Sequence, residues 1–182
     1  KAQQSAGYKH WATIENLKRI AETSNFLTEH GIGSMEELTE RCEAASASVQ
    51  RLRAQIQETS AQWERLALVK KHTETYRRLK PVYDRYKAAK DKEKFLRGYE
   101  SEIILFEAAA RETQRLGAVP LPATQRLRAE MDELNAKKAM LKAELQKAQR
   151  EERDYAAIRR NVEDFLSPPQ PERERKKNVE LE

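Results

Sequence analysis

The sequence predicts an all-α fold, an elongated antiparallel coiled-coil hairpin with additional shorter helices. Three observations carry this. Charged residues make up 36% of the 182-residue chain and hydrophobic ones 38%, with Ala, Glu, Lys, Leu, Arg and Gln dominant. That composition suits helices sharing narrow seams better than a large mixed core. Only five glycines interrupt it. Finally, two long segments carry apolar residues seven apart, the spacing of a coiled-coil seam.

Residues 1–8 are polar and expected to be loose. A first helix is expected over about 9–30, where Trp11, Ile14, Leu17, Ile20 and Leu27 recur at helical spacing. Gly31-Ile32-Gly33 ends it, because glycine takes the left-handed cap conformation cheaply. Ser34 and Glu37 form a capping box that opens the next helix, over 34–90. Leu38, Ala45, Leu52, Thr59 and Leu66 fall seven apart along it, interleaved with Cys42, Val49, Ile56 and Trp63. The stripe then steps by three through Val69 to His72, a stammer, and resumes as Tyr76, Leu79, Tyr83 and Tyr86. Pro81 removes a backbone donor, so a kink is expected there in an otherwise continuous rod. At 1.5 Å per residue the rod spans roughly 85 Å.

Asp91 is the expected cap of a third helix over 91–116. Its run Ile103-Ile104-Leu105-Phe106 is apolar all round and calls for burial, inside this chain or against a larger parent. GAVPLPA at 117–123 is a tight connector, and Thr124 can cap a last helix over 124–166. That helix would span roughly 65 Å. Leu127, Leu134, Leu141, Ala148, Tyr155 and Val162 form its seam, with Lys138 and Glu152 interrupting the alternate positions. Residues 167–182 lose all apolar period and read as a Pro- and charge-rich tail ending in a tag remnant, Leu181-Glu182. The chain thus reads as a piece of a larger protein.

The chemistry classes narrow quickly. The single cysteine, Cys42, cannot form an internal disulfide and reads as a small seam residue. His10, His30 and His72 show no metal-ligand spacing, no glycine-rich phosphate loop occurs, and no nucleophile–base set stands out. No catalytic residue, metal or cofactor is therefore expected, and the chain reads as no enzyme by itself. No apolar run approaches the ~20 residues that cross a bilayer, and the start has no signal-peptide form, so a cytoplasmic setting without membrane contact is expected.

The net charge is +5, and it is concentrated. Residues 65–90 hold nine basic side chains against only Glu74 and Asp84, so the rest of the chain is slightly acidic. Lys70, Arg77 and the pair Lys80/Asp84 form one flank of the helix there. Lys71, Arg78 and Arg85, seven apart, form another, and Lys87 and Lys90 follow. Such stripes attract phosphate by charge and counterion release. The same charges could equally solvate the flank of a rod that dimerises or docks on a protein.

The segments YKHWATIENLKRIAETSNFLTEHGI at 8–32, SMEELTERCEAASA at 34–47, VYDRYKAAKDKEKFLRGYESEIILFEAAA at 82–110 and LPATQRLRAEMDEL at 121–134 resemble, in that order, the helical region downstream of the nuclease domain in relaxases, the mobilisation nucleases of Gram-positive plasmids and integrative conjugative elements. The resemblance covers about 8–166. It implies a bacterial, cytoplasmic parent that nicks DNA at a transfer origin. That chemistry belongs to a domain whose histidine motif and nucleophilic tyrosine have no counterpart here, so no catalytic residue is carried over. For this region it implies an accessory role. Either Lys70, Lys71, Arg77, Arg78, Lys80, Arg85, Lys87 and Lys90 hold single- or double-stranded transfer-origin DNA, or the rod is a scaffold that dimerises or docks on the transfer machinery.

Overall fold

In a computed structural model, residues 2–167 are described, their side chains from Trp11 onward. Four helices account for nearly all of them: α1 (Ala2–Glu29), α2 (Met35–Ala88), α3 (Lys92–Arg115) and α4 (Thr124–Leu166). There is no strand among the described residues. The expected tail at 168–182 lies outside them. The stretch expected to be loose is the first two turns of α1. Its AQQSAGY sequence holds no proline, and a single interior glycine costs a helix only about 1 kcal/mol.

Local chemistry sets the helix ends. Gly31 has φ 63°, and the Ile32 amide donates back to Leu27 O at 2.9 Å. Gly117 repeats the motif with φ 68°, where Ala118 N–H donates to Thr113 O at 2.9 Å. Glu37 N–H donates to Ser34 Oγ at 3.1 Å, while Glu37 Oε2 accepts from Gly33 N–H at 2.7 Å. The return bond of the capping box thus falls one residue earlier than its usual place. Asp91 caps α3 by accepting from Lys94 N–H at 2.9 Å.

The chain divides into two compact units, one from Lys1–Val49 with Ala148–Glu182 and one from Gln50–Lys147. In the first, Leu38, Ala45, Tyr155 and Ile158 form a buried cluster joined by Phe26, Leu27, Ile32, Met35, Cys42 and Val162. Ile158 lies off the expected seven-residue stripe. It is buried because α1 adds a third wall to what α2 and α4 would otherwise enclose as a two-helix seam. Phe26 and His30 both meet Tyr155 edge-on, at 5.3 and 5.7 Å between centroids. Asn161 Nδ2 donates to Thr23 Oγ1, and Arg19 reaches Asp164 and lies over Phe165. The apolar side chains nearer the N-terminus, Trp11, Ile14, Leu17 and Ile20, are exposed.

In the second unit α3 turns back along α2. Tyr86 meets Phe95, Phe106 lies between Tyr76 and Tyr83, and Arg65 donates to Leu116 O. The connector, with a cis peptide at Val119-Pro120, then climbs α2 again, so that Pro122 and Thr124 meet Arg77. From there α4 descends, bringing Leu127 against Val69 and Ala118. Within this unit α3 and α4 therefore both run opposite to α2.

One expectation about α2 changes. The stammer does not bury His72, which is half-buried. Its neighbour Thr73 is 0% exposed. Thr73 lies seven residues after Leu66 and so continues the stripe of Leu52, Thr59 and Leu66, past the point where the stammer was expected to shift it. Pro81 sits inside α2 on an exposed side, where the carbonyl it leaves unpaired can meet water. In α3 the backbone departs from helical geometry at Tyr99 (φ −136°, ψ 24°). The apolar run of α3 is split: Ile103 and Phe106 are buried, whereas Ile104 and Leu105 are 55% and 51% exposed.

Candidate nucleic-acid interface

The candidate site lies in the second unit, on the last five turns of α2 and the start of α3. The eight cations picked out by the sequence do not behave alike. Lys70 is half-buried and paired with Glu74 at 3.2 Å. Lys80 is held by both oxygens of Asp84, at 3.0 and 2.7 Å, and this hydrogen bond raises its pKa. Arg77 is exposed but committed: Nη1 donates to Thr124 Oγ1 at 2.7 Å and Nη2 to Pro122 O at 2.8 Å. The flank expected from Lys70, Arg77 and Lys80 is thus largely occupied by neighbours within the molecule.

The other flank differs. Lys71, Arg78 and Arg85 are exposed, and no ion pair engages them among the described residues. Fourteen residues of helix separate the first from the last, about 21 Å. An open recess of about 460 Å³ runs between Lys71 and Arg78, with Ala67, Thr75 and Met131 among its walls. Lys87 stands 5.5 Å over the Tyr83 ring and Arg85 5.7 Å over the Tyr99 ring. Both keep their charge at the surface while a ring supports them from below. Lys90 is exposed in the link to α3.

The fold adds three cations that the sequence reading left out. Tyr86–Phe95 and Arg85–Tyr99 contacts bring the first turns of α3 against the last turns of α2. Lys92, Lys94 and Arg97, all exposed, thereby join Arg85, Lys87 and Lys90 at one end of the unit. The run KDKEKFLR at 90–97 held the signal, but cutting the basic stretch at Lys90 hid it. Tyr99 gave no sequence signal beyond following Gly98.

On the other side of α2, a groove of about 690 Å³ lies between α2, the connector and α4. Its floor is Leu66, Val69, Ala118, Leu127 and Leu134, and its rim mixes Arg65, Arg126 and Lys137 with Glu130 and Glu133. Three cations against two carboxylates leave this rim only weakly basic. No group of His, Cys, Asp and Glu that could hold a metal occurs among the described residues. No helix among them is long and apolar enough to cross a membrane.

Comparison with protein families, curated proteins and solved structures finds no match.

Proposed function

We propose that this chain is a non-catalytic helical accessory region of a conjugative or mobilisation relaxase, which supports transfer-origin DNA processing by holding the nucleic-acid backbone. One observation carries the reading: Lys71, Arg78 and Arg85 form an exposed line of unpaired cations that runs into a second group, Lys87 to Arg97, at the α2–α3 end. Cations so placed contact phosphates without reading bases. The seven-residue spacing of α2 and α4, with their opposed directions in the second unit, supports an antiparallel coiled coil there as the carrier. The ordered resemblance of 8–166 to relaxase helical regions supplies the DNA-processing parent and its bacterial cytoplasm.

The test is a binding titration against DNA across roughly 50–200 mM salt, the range where phosphate contacts reveal themselves. Each lost phosphate contact lowers the salt slope by about 0.7 on single strands and 0.9 on duplex. Lys71→Ala/Arg78→Ala/Arg85→Ala is expected to lower it by about two to three, and an unchanged slope rejects the reading.

A second reading is a protein-interaction or dimerisation scaffold. The observation that favours it is the exposed apolar side of α1, where Leu17 is 61% exposed and Ile14 and Ile20 accompany it. Sedimentation showing a concentration-dependent mass that Leu17→Glu abolishes, with no DNA shift in the same salt range, would favour it over the first.

A further inference from the structure

The aromatic residues between α2 and α3 form a continuous row. Tyr76 meets Phe106 at 4.7 Å, Phe106 stacks on Tyr83 at 4.2 Å, and Tyr83 meets Tyr86 at 6.0 Å. Tyr86 then meets Phe95 at 6.2 Å, and Phe95 stacks on Tyr99 at 4.7 Å and 25°. Tyr99 ends the row and is 37% exposed. It is also the residue where α3 leaves helical geometry, just after Gly98, around whose missing Cβ there is open space. The Arg85 guanidinium of α2 stands over the Tyr99 ring, 5.7 Å from its centroid.

Arg85 is also the end of the exposed cationic line. A backbone lying along Lys71, Arg78 and Arg85 therefore arrives at a ring and a guanidinium facing each other. Two stacking layers need about 7 Å, at ~3.4 Å per base step. Arg85 is exposed and free of ion pairs among the described residues, so its guanidinium can swing outward to admit a further layer over the Tyr99 ring. A flat ring inserted there would stack on tyrosine on one side and guanidinium on the other, as bases do in single-strand sites. A base inside a duplex has no free face to offer.

We infer that Tyr99 and Arg85 form a slot for one unpaired nucleobase, so that this surface selects single-stranded over double-stranded nucleic acid. The inference rests on the backbone-binding reading above, but it can fail alone.

The experiment uses the full chain and fluorescence anisotropy at ~100 mM salt. The probes are a labelled mixed-sequence single-stranded DNA 20-mer, the same sequence as RNA, and its blunt DNA duplex. Tyr99→Ala is expected to weaken single-strand binding by roughly 5- to 100-fold, the loss of one stacked base, and to leave duplex binding within about twofold. Tyr99→Trp should bind the single strand at least as well as the native chain. Tyr99→Leu, which keeps apolar bulk, should behave as Tyr99→Ala, with circular dichroism verifying unchanged helix content. The DNA and RNA arms report whether the sugar matters to the slot. Equal single-strand binding by native chain and Tyr99→Ala overturns the slot. So does equal weakening on both strand types, which would mark Tyr99 as structural. If the native chain binds none of the three probes, the backbone reading falls with it. If Lys71→Ala/Arg78→Ala weakens binding while Tyr99→Ala does not, only the slot falls.

Discussion

Arg77 and Thr124 are 47 residues apart and joined at 2.7 Å, Nη1 to Oγ1, while the other end of the same guanidinium holds Pro122 O. The fork fixes the end of the connector to α2 at the point where α4 begins. Thr124, expected to cap α4, is instead its first residue and spends its hydroxyl on Arg77.

Arg77→Ala should therefore act on stability and not on DNA. It is expected to cost about 1 kcal/mol, the scale of a charge-assisted pair discounted for exposure. Urea unfolding measures that cost. Arg77→Lys should recover little, since an ammonium cannot reach both acceptors in the fork geometry. The salt slope of nucleic-acid binding should be unchanged; a slope that fell by a full contact would return Arg77 to the interface.

Thr73 is 0% exposed and its Oγ1 has no hydrogen-bond partner, unlike buried Thr23, Thr59 and Thr113, whose hydroxyls donate to carbonyls one turn back. A buried unsatisfied hydroxyl costs about 1–3 kcal/mol. Thr73→Val keeps the branched shape and is expected to raise the urea midpoint. Thr59→Val, which removes a satisfied hydroxyl, should gain less. A loss of stability in Thr73→Val would mean the hydroxyl is serving a partner.

Phe106 is the centre of the α2–α3 contact, stacked between Tyr76 and Tyr83. Phe106→Ala is expected to cost about 3–5 kcal/mol and to release α3, seen as lost tyrosine near-ultraviolet dichroism. Ile104→Ala, one residue pair away on the exposed side, should change stability by less than about 0.5 kcal/mol.

Burial raises the Cys42 thiol pKa; Glu163 and Glu43 add to the rise, and Arg159 opposes it. The folded chain thus holds this proton more tightly than the unfolded one. No stability is at stake well below the ordinary thiol range, and stability falls as pH rises from there through the folded value. Alkylation at neutral pH should be slower than for free cysteine and recover the free rate in denaturing urea. Cys42→Ala should remove the alkaline loss. A native rate matching free cysteine would contradict the burial.

Much of the secondary structure was legible because its causes are local. Gly31 and Gly117 supply positive φ, Asp91 and Ser34 accept amides three residues on, and Leu38 to Thr59 carry a period that needs no partner to be read. The same local reasoning passed over Tyr99. Proline's lost hydrogen bond is tolerated on an exposed side at Pro81, while the departure at Tyr99 goes with α3's packing against α2.

The sequence by itself determined an all-helical chain, its caps and connectors, and where positive charge is concentrated. Local spacing already placed carboxylates one turn beyond Lys70 and Lys80; only the tertiary structure decided the availability of the other charges. Lys70 and Lys80 pair within their own helix, Arg77 is taken by the connector, and Lys71, Arg78 and Arg85 are left facing outward. Only the fold, again, laid the first turns of α3, which carry Lys92, Lys94 and Arg97, against the last turns of α2 and set Tyr99 under Arg85. Helical periodicity is a property of neighbours three and four residues apart. Lys70–Glu74 and Lys80–Asp84 are such neighbours, whereas the fate of Arg77 depends on groups about fifty residues away, which no local pattern encodes.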